Sequence, residues 1–103
     1  MTTLRLRPID DDAWLGYLGA ITWPDGSRPL FAEGCFPGTN QWWHLVISPE
    51  GATFVADDER LEEGGYVLDK EGFPTPEDAR AWVFKELPEE PRNRLDFLLA
   101  GFA

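Results

Sequence analysis

Cysteine and histidine are almost missing from this sequence, which has one residue of each, Cys35 and His44. A single cysteine excludes a disulfide framework within the chain, so packing must stabilise the fold and a reducing compartment is favoured. The sequence also lacks the Cys-x-x-Cys pair and the second histidine that a zinc site of the usual kind needs. We therefore predict no metal and no cofactor.

Long hydrophobic runs are missing as well. No stretch approaches the roughly 20 apolar residues of a membrane span, and residues 1–8 lack the apolar core of a signal peptide. From these two absences we expect a soluble, cytoplasmic protein that does not enter a membrane.

Basic residues are few. Nine Lys and Arg stand against nineteen Asp and Glu, which gives a net charge of −10. This balance argues against nucleic acid and anionic membranes as direct ligands, because both need cationic partners. It favours long-range attraction to a partner protein with a basic surface. The span 57–90 carries twelve acids and four bases, and so −8 of the net charge. A solvated, solubilising surface is the alternative interpretation of that span.

Large apolar side chains are concentrated in residues 41–48, Gln-Trp-Trp-His-Leu-Val-Ile-Ser. Their aromatic and β-branched content predicts a strand covered on both faces, at the centre of a small sheet. Because side chains alternate along a strand, Trp43, Leu45 and Ile47 share one face, and Trp42, His44 and Val46 share the other.

Further strands are predicted on both sides of this one. Leu4 and Leu6 alternate with arginines in a short first strand that ends at Pro8. Residues 17–36 are predicted to form a hairpin around the Pro24-Asp25-Gly26-Ser27 turn, and residues 41–56 a second hairpin around Ser48-Pro49-Glu50-Gly51. Tyr66–Asp69 is predicted as an edge strand.

Helices are predicted only near the C-terminus. Thr75 caps a helix with Pro76 in its first position and Asp78 in capping-box spacing. Ala79, Trp82 and Val83 form its buried face, and the helix ends before Pro88.

A second helix is predicted from Glu89 towards Gly101, with an apolar stripe formed by Leu95, Leu98, Leu99 and Phe102. The expected fold is a single α+β domain over residues 1–103. It has an antiparallel sheet of four to five strands, with one or two C-terminal helices on one face.

Candidate chemistry is sparse. Cys35 and His44 could form a nucleophile and base on neighbouring strands, but their acidic and apolar surroundings favour structural roles. The acidic clusters 10–12 and 57–59 could attract a divalent cation, yet neither has EF-hand spacing. We expect no enzyme activity and no catalytic residue.

The five tryptophans offer a different kind of site, because an exposed tryptophan rimmed by acids is a natural interface anchor. If helices cover one face of the sheet, either Trp42 or Trp43 needs another cover, which could be the N-terminal segment or a partner subunit. The predicted partner-binding residues are the acids that follow the second hairpin together with one tryptophan: Asp57, Asp58, Glu59, Glu62, Glu63 and Trp42.

The tryptophan-rich strand, the Ser48–Gly51 turn and the segment Gly72–Trp82 resemble small α+β orphan proteins of phages and mobile elements, over residues 41–84. Strongly acidic proteins of this kind include anti-CRISPR and other anti-defence inhibitors. The resemblance implies an inhibitor that occupies a basic surface of its partner, such as a nucleic-acid-binding groove. The alternatives are an immunity or antitoxin protein that neutralises a toxin, and a subunit or adaptor of a host complex. The oligomeric state stays open, with a dimer among the alternatives.

Overall fold

A computed structural model describes residues 3–10, 21–56, 66–69 and 71–100. These residues form an antiparallel sheet of five strands in chain order, followed by two helices. The elements are β1 (Arg7–Pro8), β2 (Leu30–Cys35), β3 (Trp42–Ser48), β4 (Gly51–Ala56), β5 (Tyr66–Asp69), α1 (Pro76–Glu86) and α2 (Arg94–Ala100). The predicted α+β class is confirmed, and so are the central strand and the edge strand. In this part of the chain, no helix is long and apolar enough to cross a membrane.

The central strand β3 pairs along its whole length with β2 on one side and β4 on the other. Trp43, Leu45 and Ile47 are buried in one hydrophobic core together with Val83 of α1 and Phe97 of α2. Both helices therefore pack on the Trp43 side of the sheet, as the alternation of side chains predicts. Trp42, His44 and Val46 lie on the opposite side.

The predicted hairpin at 41–56 is confirmed, with Ser48 and Gly51 as the last pair before the turn. The segment after the sheet docks against this turn, because the Phe73 amide donates to the Pro49 carbonyl over 3.1 Å. Gly72 allows this approach with a φ of +83°, and a Cβ there would overlap the Pro49 carbonyl oxygen. This close contact between the two backbone segments therefore places Phe73, and α1 that follows it in the chain, against the core.

The N-terminal half differs from the prediction in two details. The first strand is limited to Arg7–Pro8, while Leu4 is buried in the core and Leu6 packs against it. Residues 21–23 form a loop and not the end of a strand, and β1 is the strand that pairs with the N-terminal part of β2. Trp23 is instead a buried anchor whose indole N–H donates to the Phe73 carbonyl over 3.0 Å. The rest of the predicted strand, residues 17–20, lies outside the described residues.

Helix α1 begins where its cap was predicted. The Asp78 amide donates to Thr75 Oγ1 over 3.2 Å, and this hydroxyl donates to Asp78 Oδ2 over 3.0 Å. Ala79 and Val83 are buried, and Trp82 packs against the core while half-buried.

Helix α2 begins later than predicted, because Asn93 caps it. The Asp96 amide donates to Asn93 Oδ1 over 2.8 Å, and the Asn93 amide group donates back to Asp96 Oδ2 over 3.0 Å. The predicted apolar stripe is wrong at Leu95 and Leu99, which are 61% and 52% exposed. Phe97 is the buried residue, and its ring stacks on Phe54 with centroids 4.2 Å apart. Phe102 lies outside the described residues.

Candidate functional site

The side of the sheet opposite the helices carries the candidate site. We call it the Trp42 face and define it by the outward side chains of β2 and β3: Phe31, Glu33, Cys35, Trp42, His44 and Val46. The antiparallel register sets Phe31 opposite Val46, Glu33 opposite His44 and Cys35 opposite Trp42. These pairs share a face because directly opposed residues on neighbouring strands point the same way.

Burial changes along this face. Phe31 and Val46 are buried, the His44 side chain is 16% exposed, and Trp42 is 47% exposed. Val67 of β5, which continues the same face through its pairing with Thr53, is exposed too. The Trp42 face is therefore buried at the end near β1, where Phe31 and Val46 lie; we call this the closed end. It is exposed at the other end, the open end, which carries Trp42 and the exposed Cys35. Of the two adjacent tryptophans, Trp42 is the one that the helices leave uncovered.

A cluster of charged and aromatic groups occupies the closed end. Arg7 donates to Glu33 Oε1 over 2.9 Å and lies over the Phe31 ring, 5.1 Å from its centroid. The Phe31 ring stacks on His44 with centroids 5.8 Å apart, and Glu33 Oε2 lies 3.4 Å from His44 Nε2. The Glu33 carboxylate thus lies between the Arg7 guanidinium and the His44 imidazole, and the His44 ring is stacked on the Phe31 ring.

Cys35 and His44 do lie on one face of adjacent strands, as a catalytic pair would require. The register makes them diagonal neighbours and not direct partners. The imidazole faces Glu33 and stacks on Phe31, which lies four residues before Cys35 on β2. Through these contacts the His44 side chain of β3 is joined to two residues of β2.

The predicted acidic contacts Asp57, Asp58, Glu59, Glu62 and Glu63 lie outside the described residues. The residues on either side of them are described. Ala56, just before the acidic segment, pairs with Trp43, and Tyr66, just after it, pairs with Phe54. The two described strand ends that flank the segment, Ala56 and Tyr66, lie at the end of the sheet that carries Trp42.

Only part of the predicted acidic cluster 10–12 is described. Asp10 is exposed, and Asp11 and Asp12 lie outside the described residues. In the described ranges, no group of three or more His, Cys, Asp or Glu side chains is placed to hold a metal ion. An open cleft of about 580 Å³ lies where α1 leads into α2, and its lining mixes both signs of charge: Lys85, Glu86, Glu89, Glu90, Arg92 and Asp96.

Sequence reasoning missed Arg7, Phe31 and Glu33 as parts of the site. The signal that could have found them is the alternation in β2, where Phe31, Glu33 and Cys35 face away from the buried residues Leu30 and Ala32. The contacts of Phe31 and Glu33 with Arg7 depend on the pairing of β1 with β2. These two strands are far apart in sequence, so no local pattern encodes their pairing.

Comparison of the chain with models of protein families found no match. Comparisons with curated proteins and with solved structures likewise found none. The site must therefore be interpreted from its own geometry and charge.

Proposed function

We propose that this protein is a non-enzymatic, acidic inhibitor that binds a basic surface of a partner protein. The observation that carries the proposal is the position of Trp42, which is 47% exposed at the end of the sheet where the acidic segment joins it. A half-exposed tryptophan supplies the apolar anchor that interface hot spots need. The acids that follow Ala56 in the sequence supply charge complementarity to a basic partner and accelerate the encounter.

The nature of the basic surface is the finer part of the proposal. With a net charge of −10, the protein repels nucleic acid. It is attracted to the basic grooves of proteins that bind nucleic acid. Spaced carboxylates can take the place of phosphates in such a groove. We propose that the partner is a cytoplasmic nucleic-acid-binding protein, such as a defence nuclease, and that the acidic segment competes with its nucleic acid in the manner of anti-CRISPR inhibitors.

The test is an affinity capture from the source cells at low and at high salt, with three forms of the protein. The first is the wild type, and the second is a loop variant with Asp57, Asp58, Glu59, Glu62 and Glu63 changed to Lys. The third is a matched control in which five described and exposed acids become Lys: Asp10, Glu50, Glu71, Glu77 and Glu89. The two variants have the same net charge, so they separate a local contact from a general attraction.

We expect the wild type and the control to retain one partner at low salt, and the loop variant to lose it. The purified partner should then release its nucleic acid when wild-type protein is added. A folded loop variant that retains the same partner in the same amount would refute the acidic contact. A captured toxin encoded beside this protein would replace the inhibitor proposal with the immunity one.

A double variant with Cys35→Ala and His44→Ala tests the proposal that the protein acts by binding and not as an enzyme. If the captured partner is chemically modified by the wild type and not by this variant, the protein is an enzyme. Inhibition by both forms at a one-to-one ratio is the outcome that the binding proposal requires.

A further inference from the structure

We propose that Glu33 and His44 form a proton-dependent contact between β2 and β3, which is stronger when the imidazole is protonated and weaker when it is neutral. The contact belongs to the cluster at the closed end of the Trp42 face. It gives the stability of the sheet a component that responds to pH near neutrality. The proposal is independent of the proposed function, because neither residue belongs to the predicted partner contact.

The two side chains face each other across the strand pair. Glu33 and His44 are direct partners in the antiparallel register of β2 and β3, and Glu33 Oε2 lies 3.4 Å from His44 Nε2. The His44 side chain is 16% exposed and the Glu33 side chain 33%. Water and salt therefore screen a charge interaction between them less than they screen a fully exposed ion pair.

Neighbouring groups hold both side chains in this orientation. Arg7 of β1 donates to the other carboxylate oxygen, Glu33 Oε1, over 2.9 Å. The buried Phe31 ring stacks on the His44 ring at an interplanar angle of 23°. The carboxylate thus offers one oxygen to the guanidinium and keeps the other for the imidazole, so that protonation of His44 links three strands through one carboxylate.

The described strands place few charges around the imidazole. On the β2 side, Glu33 lies directly opposite and Cys35 lies on the diagonal, with Arg7 on the far oxygen of the carboxylate. On the β4 side, the register partner of His44 is Val55, which does not titrate. Glu33 is therefore the described acid whose charge the imidazole faces at closest range.

The direction of the pH response follows from these charges. A carboxylate attracts an imidazolium strongly and a neutral imidazole only weakly. At pH 5.5 carboxylates are ionised and most imidazoles are protonated, whereas at pH 8 imidazoles are neutral. The contact therefore favours the protonated form in the folded state. Its contribution to stability is present at pH 5.5 and is lost as the pH rises towards 8.

A double-mutant cycle isolates this contact from the burial of His44 and from repulsion by Arg7, which is present in every form. The four proteins are the wild type, Glu33→Gln, His44→Phe and the double variant. Phenylalanine keeps a ring to stack on Phe31 but does not titrate. Urea denaturation at pH 5.5 and at pH 8 gives the unfolding equilibrium constants, from which the coupling factor between the two positions is calculated.

We expect the coupling factor to be about two- to fivefold larger at pH 5.5 than at pH 8, as for an ion pair of modest strength. A factor that is equal at the two pH values, or larger at pH 8, would overturn the proposal. If His44→Phe does not fold, His44→Gln takes its place in the same cycle.

An NMR titration of the imidazole provides a second and independent test. His44 is the only histidine of the sequence, so its ring signals need no further assignment. Glu33→Gln should move the titration midpoint to lower pH than in the wild type. Glu50→Gln is the matched control, because Glu50 is an exposed acid in the turn between β3 and β4, and it should leave the midpoint in place. A midpoint that Glu33→Gln leaves unchanged or raises would contradict the contact.

Discussion

Gly34 lies directly opposite Trp43, and the indole fills the space that a side chain at Gly34 would need. A Cβ built on Gly34 would lie 2.8 Å from Cζ2 of Trp43 and 3.0 Å from Cε2. The largest buried side chain of β3 thus packs across the residue of β2 that has no side chain. This pairing lets the Trp43 ring reach Phe97 of α2, with the two ring centroids 6.2 Å apart.

Changing Gly34 to Ala should destabilise the protein, because the added methyl group collides with a ring that the core holds on its other side. Overpacking of this kind costs about 1–3 kcal/mol in the free energy of unfolding. Urea denaturation of the variant and the wild type measures the difference. Cys35→Ala is the control on the adjacent residue, since Cys35 is exposed and points to the opposite face. A Gly34→Ala variant as stable as the wild type would show that the ring moves freely.

Replacing each of the two adjacent tryptophans should give very different results. Trp43 is 1% exposed, so Trp43→Ala removes a large side chain from the core and should cost about 3–5 kcal/mol. Trp42 is 47% exposed, and Trp42→Ala should cost less than about 1 kcal/mol. Denaturation midpoints of the two variants check this, and each variant serves as the control for the other. Equal losses of stability would contradict the assignment of Trp42 to the uncovered face.

The second helix offers a similar comparison on residues that the sequence pattern ranked wrongly. Phe97→Ala should cost about 3–5 kcal/mol, because its ring stacks on Phe54 and packs near Trp43. Leu95→Ala should change the free energy of unfolding by about 0.5 kcal/mol or less, because its side chain is 61% exposed. Thermal or urea unfolding distinguishes the two. If Leu95→Ala is the more damaging change, the helix packs through the stripe expected from the sequence.

These differences show what the sequence can and cannot predict here. Local signals were sufficient for the β3–β4 hairpin and for the Thr75 cap, because turn chemistry and capping depend on neighbouring residues. The predicted apolar stripe on α2 was wrong for two reasons. The helix begins only after the Asn93 cap, and Phe97 is the side chain that is buried, because its ring stacks on Phe54.

The candidate site was predicted in part, for a related reason. Alternation along β3 placed Trp42 and His44 together, and the structure adds which of the two faces the helices cover. The Arg7–Glu33 contact depends on the pairing of β1 with β2, which is fixed by the whole fold and not by a local motif. The acidic residues of the predicted contact lie in the span 57–65, outside the described residues, so their role stays a prediction.

The turn at residues 24–27 predicts a specific pH dependence. The Ser27 amide donates to Asp25 Oδ1 over 2.8 Å, and this backbone hydrogen bond, with the Ser27 hydroxyl as a second donor, holds the pKa of the Asp25 carboxyl below its ordinary value of 3.8. A lowered pKa means that the folded state favours the ionised form. The resulting stabilisation is complete well above pH 3.8, begins to fall as the pH approaches 3.8, and is lost as the pH falls through the lowered pKa.

The Asp25→Asn variant keeps an acceptor oxygen but does not titrate, so it isolates this contribution. We expect the free energy of unfolding of the wild type, relative to that of Asp25→Asn, to be constant above pH 5 and to decrease as the pH falls below about 4. Urea denaturation across this range, with an NMR titration of the Asp25 carboxyl carbon, measures both quantities. A carboxyl that titrates at or above 3.8 in the folded protein would contradict the hydrogen bond from Ser27 as its cause.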